Sequence, residues 1–167
     1  MQLEIFTTGG TIDKVYFDAK STFQVGEPQI VEALADANLS LDYRVIPLLR
    51  KDSLELTDED RALVRRAVLA STSLQIVITH GTDTMIETAR SLDGIPGKTI
   101  VLTGAMQPAR FRFTDAIFNV ASAMMAVQTL PAGVYIAMNG RIFDPYSTRK
   151  NVELNRFEEI GNEIVDC

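Results

Sequence analysis

Four short stretches of this sequence carry side chains that could do chemistry together. The first is Phe6-Thr7-Thr8-Gly9-Gly10-Thr11-Ile12, with three threonines and two glycines after an apolar run. An alcohol becomes a useful nucleophile only beside a base, so a threonine held out on a bendable turn needs partners from elsewhere in the chain. The second, His80-Gly81-Thr82-Asp83-Thr84-Met85, supplies another hydroxyl and a carboxylate. The third, Ser147-Thr148-Arg149-Lys150-Asn151, supplies a lysine that burial could keep neutral as a base, pointing back under Thr82 and Asp83. The fourth, Arg50-Lys51-Asp52-Ser53-Leu54-Glu55, offers a carboxylate for a substrate ammonium and a hydroxyl for a substrate carboxylate. Each stretch also has an ordinary reading. Thr82 and Asp83 suit a helix N-cap, Arg149 and Lys150 a solvated turn, and Asp52 and Ser53 a polar loop.

Two glycine-rich stretches invite a phosphate-binding reading and fail it. The glycines of the first loop are adjacent rather than spaced as in the dinucleotide fingerprint, and no clean helix follows. Gly94-Ile95-Pro96-Gly97-Lys98-Thr99 has the end of a P-loop, but Leu92 stands where its first glycine belongs and a strand follows where a helix is needed. It reads as a turn into a strand, with Lys98 solvated.

The elements that must position these groups alternate along the chain. Residues 2–6, 43–49, 74–79, 99–102 and 134–138 read as strands, apolar almost throughout. Helices are predicted over 28–37, where Ile30, Val31 and Leu34 share a face, and from a Thr57 cap to about residue 70. Another helix begins just after the 80–85 stretch, and a long one covers 114–130. Residues 13–26 read as irregular or as a hairpin carrying Tyr16, Phe17 and Phe23, a candidate flap. Apolar strands separated by helices mean a parallel sheet covered on both faces. The expected fold is a three-layer α/β/α sandwich, flavodoxin-like or Rossmann-like, with a mainly parallel sheet of about five strands. Ligands in such folds bind beyond the carboxyl ends of the strands. All four stretches, and the loop beginning Thr103-Gly104-Ala105-Met106, follow strands and so meet at that rim.

Composition narrows the classes. With 167 residues, 46% hydrophobic and 23% charged, the chain suits one domain with a full core. A net charge of -6 without a basic stripe argues against nucleic acid. No apolar run nears the ~18 residues of a membrane span, and no signal peptide precedes the first strand. The single cysteine, Cys167, excludes a disulfide framework, reads as an idle tail thiol and suits a reducing cytoplasm. One histidine and no Cys/His cluster leave no zinc or other multi-histidine site, and no cofactor is expected.

The order and spacing of T-T-G-G-T-I, V-I-T-H-G-T-D-T-M-I-E-T-A, V-L-T-G-A-M-Q-P and S-T-R-K-N resemble the bacterial L-asparaginase family. The resemblance covers nearly the whole chain but only the larger N-terminal domain of a typical member. It implies the short, single-domain form, with residues 1–167 as one catalytic domain and the smaller C-terminal domain absent. It implies that Thr11 attacks the side-chain amide of L-asparagine, that Thr82, Asp83 and Lys150 form a second catalytic set, and that Asp52 and Ser53, with Asp83 shared, grip the substrate's amino and carboxyl groups. It also implies a tyrosine on the following loop that activates the first threonine. The usual position, a dozen residues on, is Phe23 here, so the role passes to Tyr16, five residues after Thr11. An acidic residue that long relatives draw from a neighbouring subunit's C-terminal domain has no counterpart.

The implied activity is hydrolysis of L-asparagine to L-aspartate and ammonia through a threonine acyl-enzyme, without a cofactor, in a homodimer or homotetramer. A dual asparaginase/glutaminase and a non-catalytic amino-acid-binding protein are the alternatives. The 114–130 helix is apolar on much of its circumference, including Ile117, Val120, Met124, Met125 and Val127, and reads as buried against both the sheet and a neighbouring helix.

Overall fold

A computed structural model describes residues 2–17 and 22–161; Cys167 lies outside them. The sheet is built on β1 (Leu3–Gly9), every residue of which is buried. After it come a short hairpin, β2 (Lys14–Phe17) and β3 (Thr22–Val25), then α1 (Ile30–Asp36) and β4 (Tyr43–Lys51). The chain continues through α2 (Asp58–Ala70), β5 (Gln75–Thr79), α3 (Met85–Ser91), β6 (Thr99–Thr103), α4 (Ala116–Thr129) and β7 (Gly133–Met138). It closes with β8 (Arg141–Phe143), β9 (Thr148–Asn151) and β10 (Arg156–Glu159).

The main sheet has six strands in the order β4-β1-β5-β6-β7-β8, parallel except for β8, with β2–β3 and β9–β10 as separate two-stranded pairs. The three-layer, mainly parallel expectation holds, with one strand more than the five expected. The extra strand follows Asn139-Gly140, a two-residue turn with both φ values positive, 52° and 75°. That pair is the strongest short hairpin signal a sequence carries, and it lay inside a stretch taken for loop.

Alternation along each strand supplies the two cores. Val77, Val101 and Ala137 face one side with Leu3 and Ile5, and pack against α1 through Ile30 and Leu34 and against α4 through Val120, Ala123 and Val127. Ile76, Ile78, Ile100, Leu102, Ile136 and Met138 face the other, against Val64 and Val68 of α2 and Met85 and Ala89 of α3. The Thr57 cap is present as a full capping box with Asp60, an arrangement worth about 1 kcal/mol.

Two expectations about single elements need correction. Lys98 is buried rather than solvated: its Nζ donates to the carbonyls of Ser71 and Ser73 at 2.8 and 2.6 Å, tying the entry of β6 to the loop before β5. The long helix buries only one side. Val120, Met124 and Val127 are covered, whereas Ile117 and Met125 are 58% and 61% exposed, because the sheet occupies one face and, among the described residues, no helix covers the other.

The order of strands positions the site. From β1 the chain moves outward to β4, then returns to lay β5 on the opposite side of β1. The crossover direction therefore reverses between β1 and β5, which opens a crevice at their carboxyl ends. The Thr11 turn leaves one of those strands and the Thr82-Asp83 loop leaves the other.

Candidate active site

The two loops meet backbone to backbone. Gly9 and Gly10 hold φ values of 99° and 87°, which side chains with a Cβ rarely adopt. A Cβ on Gly10 would strike the Gly81 backbone, and one on Gly81 would lie 2.5 Å from Ser53 Cβ and Oγ. Glycine at both places lets the β1, β4 and β5 loops close on one point. Thr11 then opens a single turn of 3-10 helix, Thr11–Asp13, and is half-buried. Thr8 is structural; its hydroxyl donates to the Thr79 carbonyl at 2.9 Å.

Thr82 and Asp83 do not cap the helix that follows them. α3 begins later, with Thr84 as N-cap and no side-chain cap bond, and the Thr84 hydroxyl donates instead to the Ser53 carbonyl at 2.7 Å. Thr82 and Asp83 turn their side chains to Lys150. Its Nζ donates to Thr82 Oγ1 at 2.8 Å and to Asp83 Oδ1 at 2.6 Å. Lys150 is no solvated turn residue: it sits on β9 opposite Phe157, with its side chain 16% exposed. The β9–β10 pair is fixed beneath by buried Phe157, which packs on Phe143 and whose N–H donates to Asn139 Oδ1 at 2.8 Å.

Asp52 and Ser53 flank the same point. Ser53 Oγ is buried and, among the described residues, has no hydrogen-bond partner, which costs stability unless something else binds there. Asp52 is already engaged. It accepts from the Leu54 N–H at 3.2 Å and pairs with Lys14 of the hairpin at 2.8 Å, and the Lys14 ammonium holds its carboxyl below the usual range. An ammonium ligand would have to share it.

The candidate flap is the β2–β3 hairpin. Lys14 and Tyr16 project from one face of β2, together with Val25 and Phe23 of β3. That face meets the site, because Lys14 reaches Asp52 and Val25 lies beside Gly9. Tyr16, the expected activating aromatic, and Phe23, at the family's usual position, are direct cross-strand partners with ring centroids 5.5 Å apart. Phe23 in turn meets Phe111 at 5.8 Å. Tyr16 is 55% exposed, at the edge of the rim.

Sequence reasoning passed over Asp13, which closes the base of this hairpin. Its carbonyl accepts from Gly26 N–H at 2.8 Å and its Oδ1 from Gln29 N–H at 2.9 Å. Burial raises its carboxyl to about 7, against the opposing pull of the Gln29 N–H and of Arg50. The folded carboxyl thus binds its proton more tightly than the unfolded one, so its stabilisation is full below about pH 4 and lost as the pH rises through 7. Asp13→Asn keeps an acceptor for Gln29 and cannot ionise. Relative to wild type it should gain about 2 kcal/mol between about pH 5.5 and about pH 8.5. Thermal unfolding of both proteins at each pH checks this, and a difference that ignores pH contradicts it.

The loop after β6 is braced by two further residues that sequence reasoning missed. Asp115 accepts from the N–H groups of Met106 and Gln107, and Asn119 Nδ2 donates to the Gly104 carbonyl at 3.0 Å. Their four-residue spacing at the start of the long helix was the available signal. An apolar groove of about 340 Å³ lies between α1 and α4, lined by Ile30, Leu34, Val120 and Met124. No serine, threonine or cysteine lines it. Among the described residues no group of three or more His, Cys, Asp or Glu could hold a metal ion, and no helix is long and apolar enough to cross a membrane.

Residues 2–161 match the family model for the N-terminal domain of asparaginase. The chain is 30% identical to a probable periplasmic L-asparaginase of Haemophilus influenzae over 84% of its own length and 43% of the relative's. It is 30% identical to a glutaminase-asparaginase of Acinetobacter glutaminasificans, covering 90% of this chain and 50% of that one. Among solved structures, the thermostable L-asparaginase from Thermococcus kodakarensis superposes with a TM-score of 0.84 at 28% identity, over 95% of this chain and 51% of that one. The chain spans about half the length of these relatives. It belongs to the asparaginase family, of which residues 2–161 form the N-terminal domain.

Proposed function

We propose that this chain is an amidohydrolase that converts L-asparagine to L-aspartate and ammonia through a threonine acyl-enzyme. One observation carries the reading: Lys150 Nζ lies between Thr82 Oγ1 and Asp83 Oδ1, at the crevice beside the Thr11 turn. That is the form of a hydroxyl with its base and an orienting carboxylate. The N-terminal domain described here would carry the chemistry.

Thr11 Oγ bonds to the side-chain amide carbon of the substrate, and Tyr16 relays its proton toward the departing nitrogen. The carbon–nitrogen bond breaks and ammonia leaves. Backbone N–H groups at Thr82 stabilise the oxyanion, an effect of about 3 kcal/mol per donor. Water then adds to the ester, helped by Thr82, which Lys150 and Asp83 polarise, and its proton passes through the Thr82 hydroxyl to the departing Thr11 oxygen. The ester bond breaks, Thr11 regains a proton and L-aspartate departs. Asp83, with one oxygen on Lys150, offers the other to the substrate ammonium, which Asp52 shares. Ser53 Oγ, buried and open, takes the α-carboxylate.

The kinship with a glutaminase-asparaginase favours one second reading, a dual amidase. The two amides differ by one methylene, worth ~1–3 kcal/mol in a pocket. The asparaginase reading expects a higher kcat/KM on L-asparagine than on L-glutamine in an ammonia-release assay. Equal values favour the dual reading, and no release from either amide leaves only amino-acid binding. We place the protein in the cytoplasm on its single cysteine, with a small-molecule substrate and no nucleic-acid or membrane partner. The exposed Ile117, Phe118 and Met125 of α4 support a homodimer or homotetramer, which light scattering measures.

A further inference from the structure

We infer that His80 is a positioning residue, whose Nδ1–H holds the Gly81 carbonyl and thereby aims the Thr82 N–H into the crevice at the substrate's developing oxyanion. The inference deepens the proposed function and rests on it.

The His80 ring is fully buried and has two close partners. Nδ1 lies 2.7 Å from the Gly81 carbonyl oxygen, and Nε2 lies 2.8 Å from Thr88 Oγ1. A carbonyl oxygen only accepts, so Nδ1 carries the proton. Burial keeps the ring neutral, with its pKa pushed down to about 4, so Nε2 accepts the Thr88 hydroxyl. Thr88, on α3 and itself buried, thus supplies the donor that Nε2 accepts, in keeping with the tautomer the Gly81 carbonyl sets.

The carbonyl so held belongs to the peptide that ends in the Thr82 N–H. A peptide is planar and trans, so its C=O and N–H point in opposite directions. Pinning the carbonyl onto the buried ring turns the N–H away from the core and toward the rim. Among the described residues that N–H donates to no backbone carbonyl or side chain. The neighbouring backbone is held as firmly. His80 N–H donates to the Thr103 carbonyl at 2.8 Å, Gly104 crowds the His80 carbonyl, and Gly10 and Ser53 press on Gly81. Glycine at 81 leaves the peptide free to rotate, and the ring removes that freedom.

Two variants separate positioning from filling. In His80→Asn the amide nitrogen reaches the place of Nδ1 and can hold the Gly81 carbonyl. In His80→Gln it reaches the place of Nε2 and can serve only Thr88. On L-asparagine, His80→Asn should keep kcat within about threefold of wild type, while His80→Gln should lose roughly 10- to 100-fold in kcat with little change in KM. Equal losses in both variants, or a loss confined to KM, overturn the inference. Nitrogen NMR of the wild type gives a second readout that needs no variant to fold. His80 is the only histidine, so its ring signals need no assignment. An Nδ1–H tautomer at about pH 7 supports the inference, and an Nε2–H tautomer or an imidazolium overturns it. Failure of the underlying reading is distinguishable: a wild type inactive on L-asparagine removes the reaction His80 would serve, whereas an active wild type with indistinguishable variants removes only the role of His80.

Discussion

Lys150→Met is expected to lower kcat on L-asparagine by about a thousandfold, the upper part of the range for a positioned acid–base group. The lysine Nζ donates to both Thr82 and Asp83, so its loss strips the hydroxyl of the group that polarises it and the carboxylate of its partner at once. Methionine keeps the length of the side chain without its charge. Asp83 is 43% exposed and can regain water when its partner goes, so the stability cost is that of a half-open ion pair, about 1 kcal/mol or less. Kinetics and thermal unfolding measured on the same sample check the two halves of this result. A drop in activity matched by loss of the folded state would mean that Lys150 is a structural strut. Unchanged kcat would mean that the Thr82–Lys150–Asp83 group does no chemistry.

Thr11→Val is expected to cost more, ~10⁴-fold or greater, because it removes the hydroxyl proposed to attack first, so that no ester forms for water to open. Thr82→Val provides the contrast. Both threonines stand in the crevice, and Thr82 has the better-formed base, so the order of attack must be measured. With Thr11 attacking first, Thr82→Val still forms an ester with the substrate, visible as a burst of ammonia followed by slow turnover, and Thr11→Val shows no burst. The opposite pattern assigns the first attack to Thr82. Near-normal turnover in Thr11→Val contradicts the role given to Thr11.

The layers and the rim were legible in the sequence, because apolar strands and periodic helices leave little choice of fold. Val77 and Ile78 face opposite cores, and both had to be apolar. Short antiparallel pieces were not legible. β8 has three residues, and β9 and β10 are polar surface strands whose pairing depends on the buried Phe157 rather than on their own pattern. The distance between Lys150 and Thr82, 68 residues along the chain, is beyond any local signal; the convergence of loops at the strand rim and the family resemblance suggested that they meet. Local rules also misled. Thr82 and Asp83 have the types of an N-cap, yet a lysine from β9 competes for both side chains and the helix starts without them. Lys98 looked like a surface residue because lysine usually is, but its ammonium is taken up by the carbonyls of Ser71 and Ser73. Asp52 was read as an open carboxylate, and the hairpin residue that occupies it, Lys14, lies too far away in sequence for the pairing to be seen.

The reading proposed above is that this chain opens the side-chain amide of L-asparagine. The most direct measurement is ammonia and L-aspartate released by the purified wild-type chain from L-asparagine, with Lys150→Met as the matched control. The two products are expected in equal amounts from the wild type and almost none from the variant. Binding of L-asparagine without product, or product at the same rate from both proteins, would contradict it.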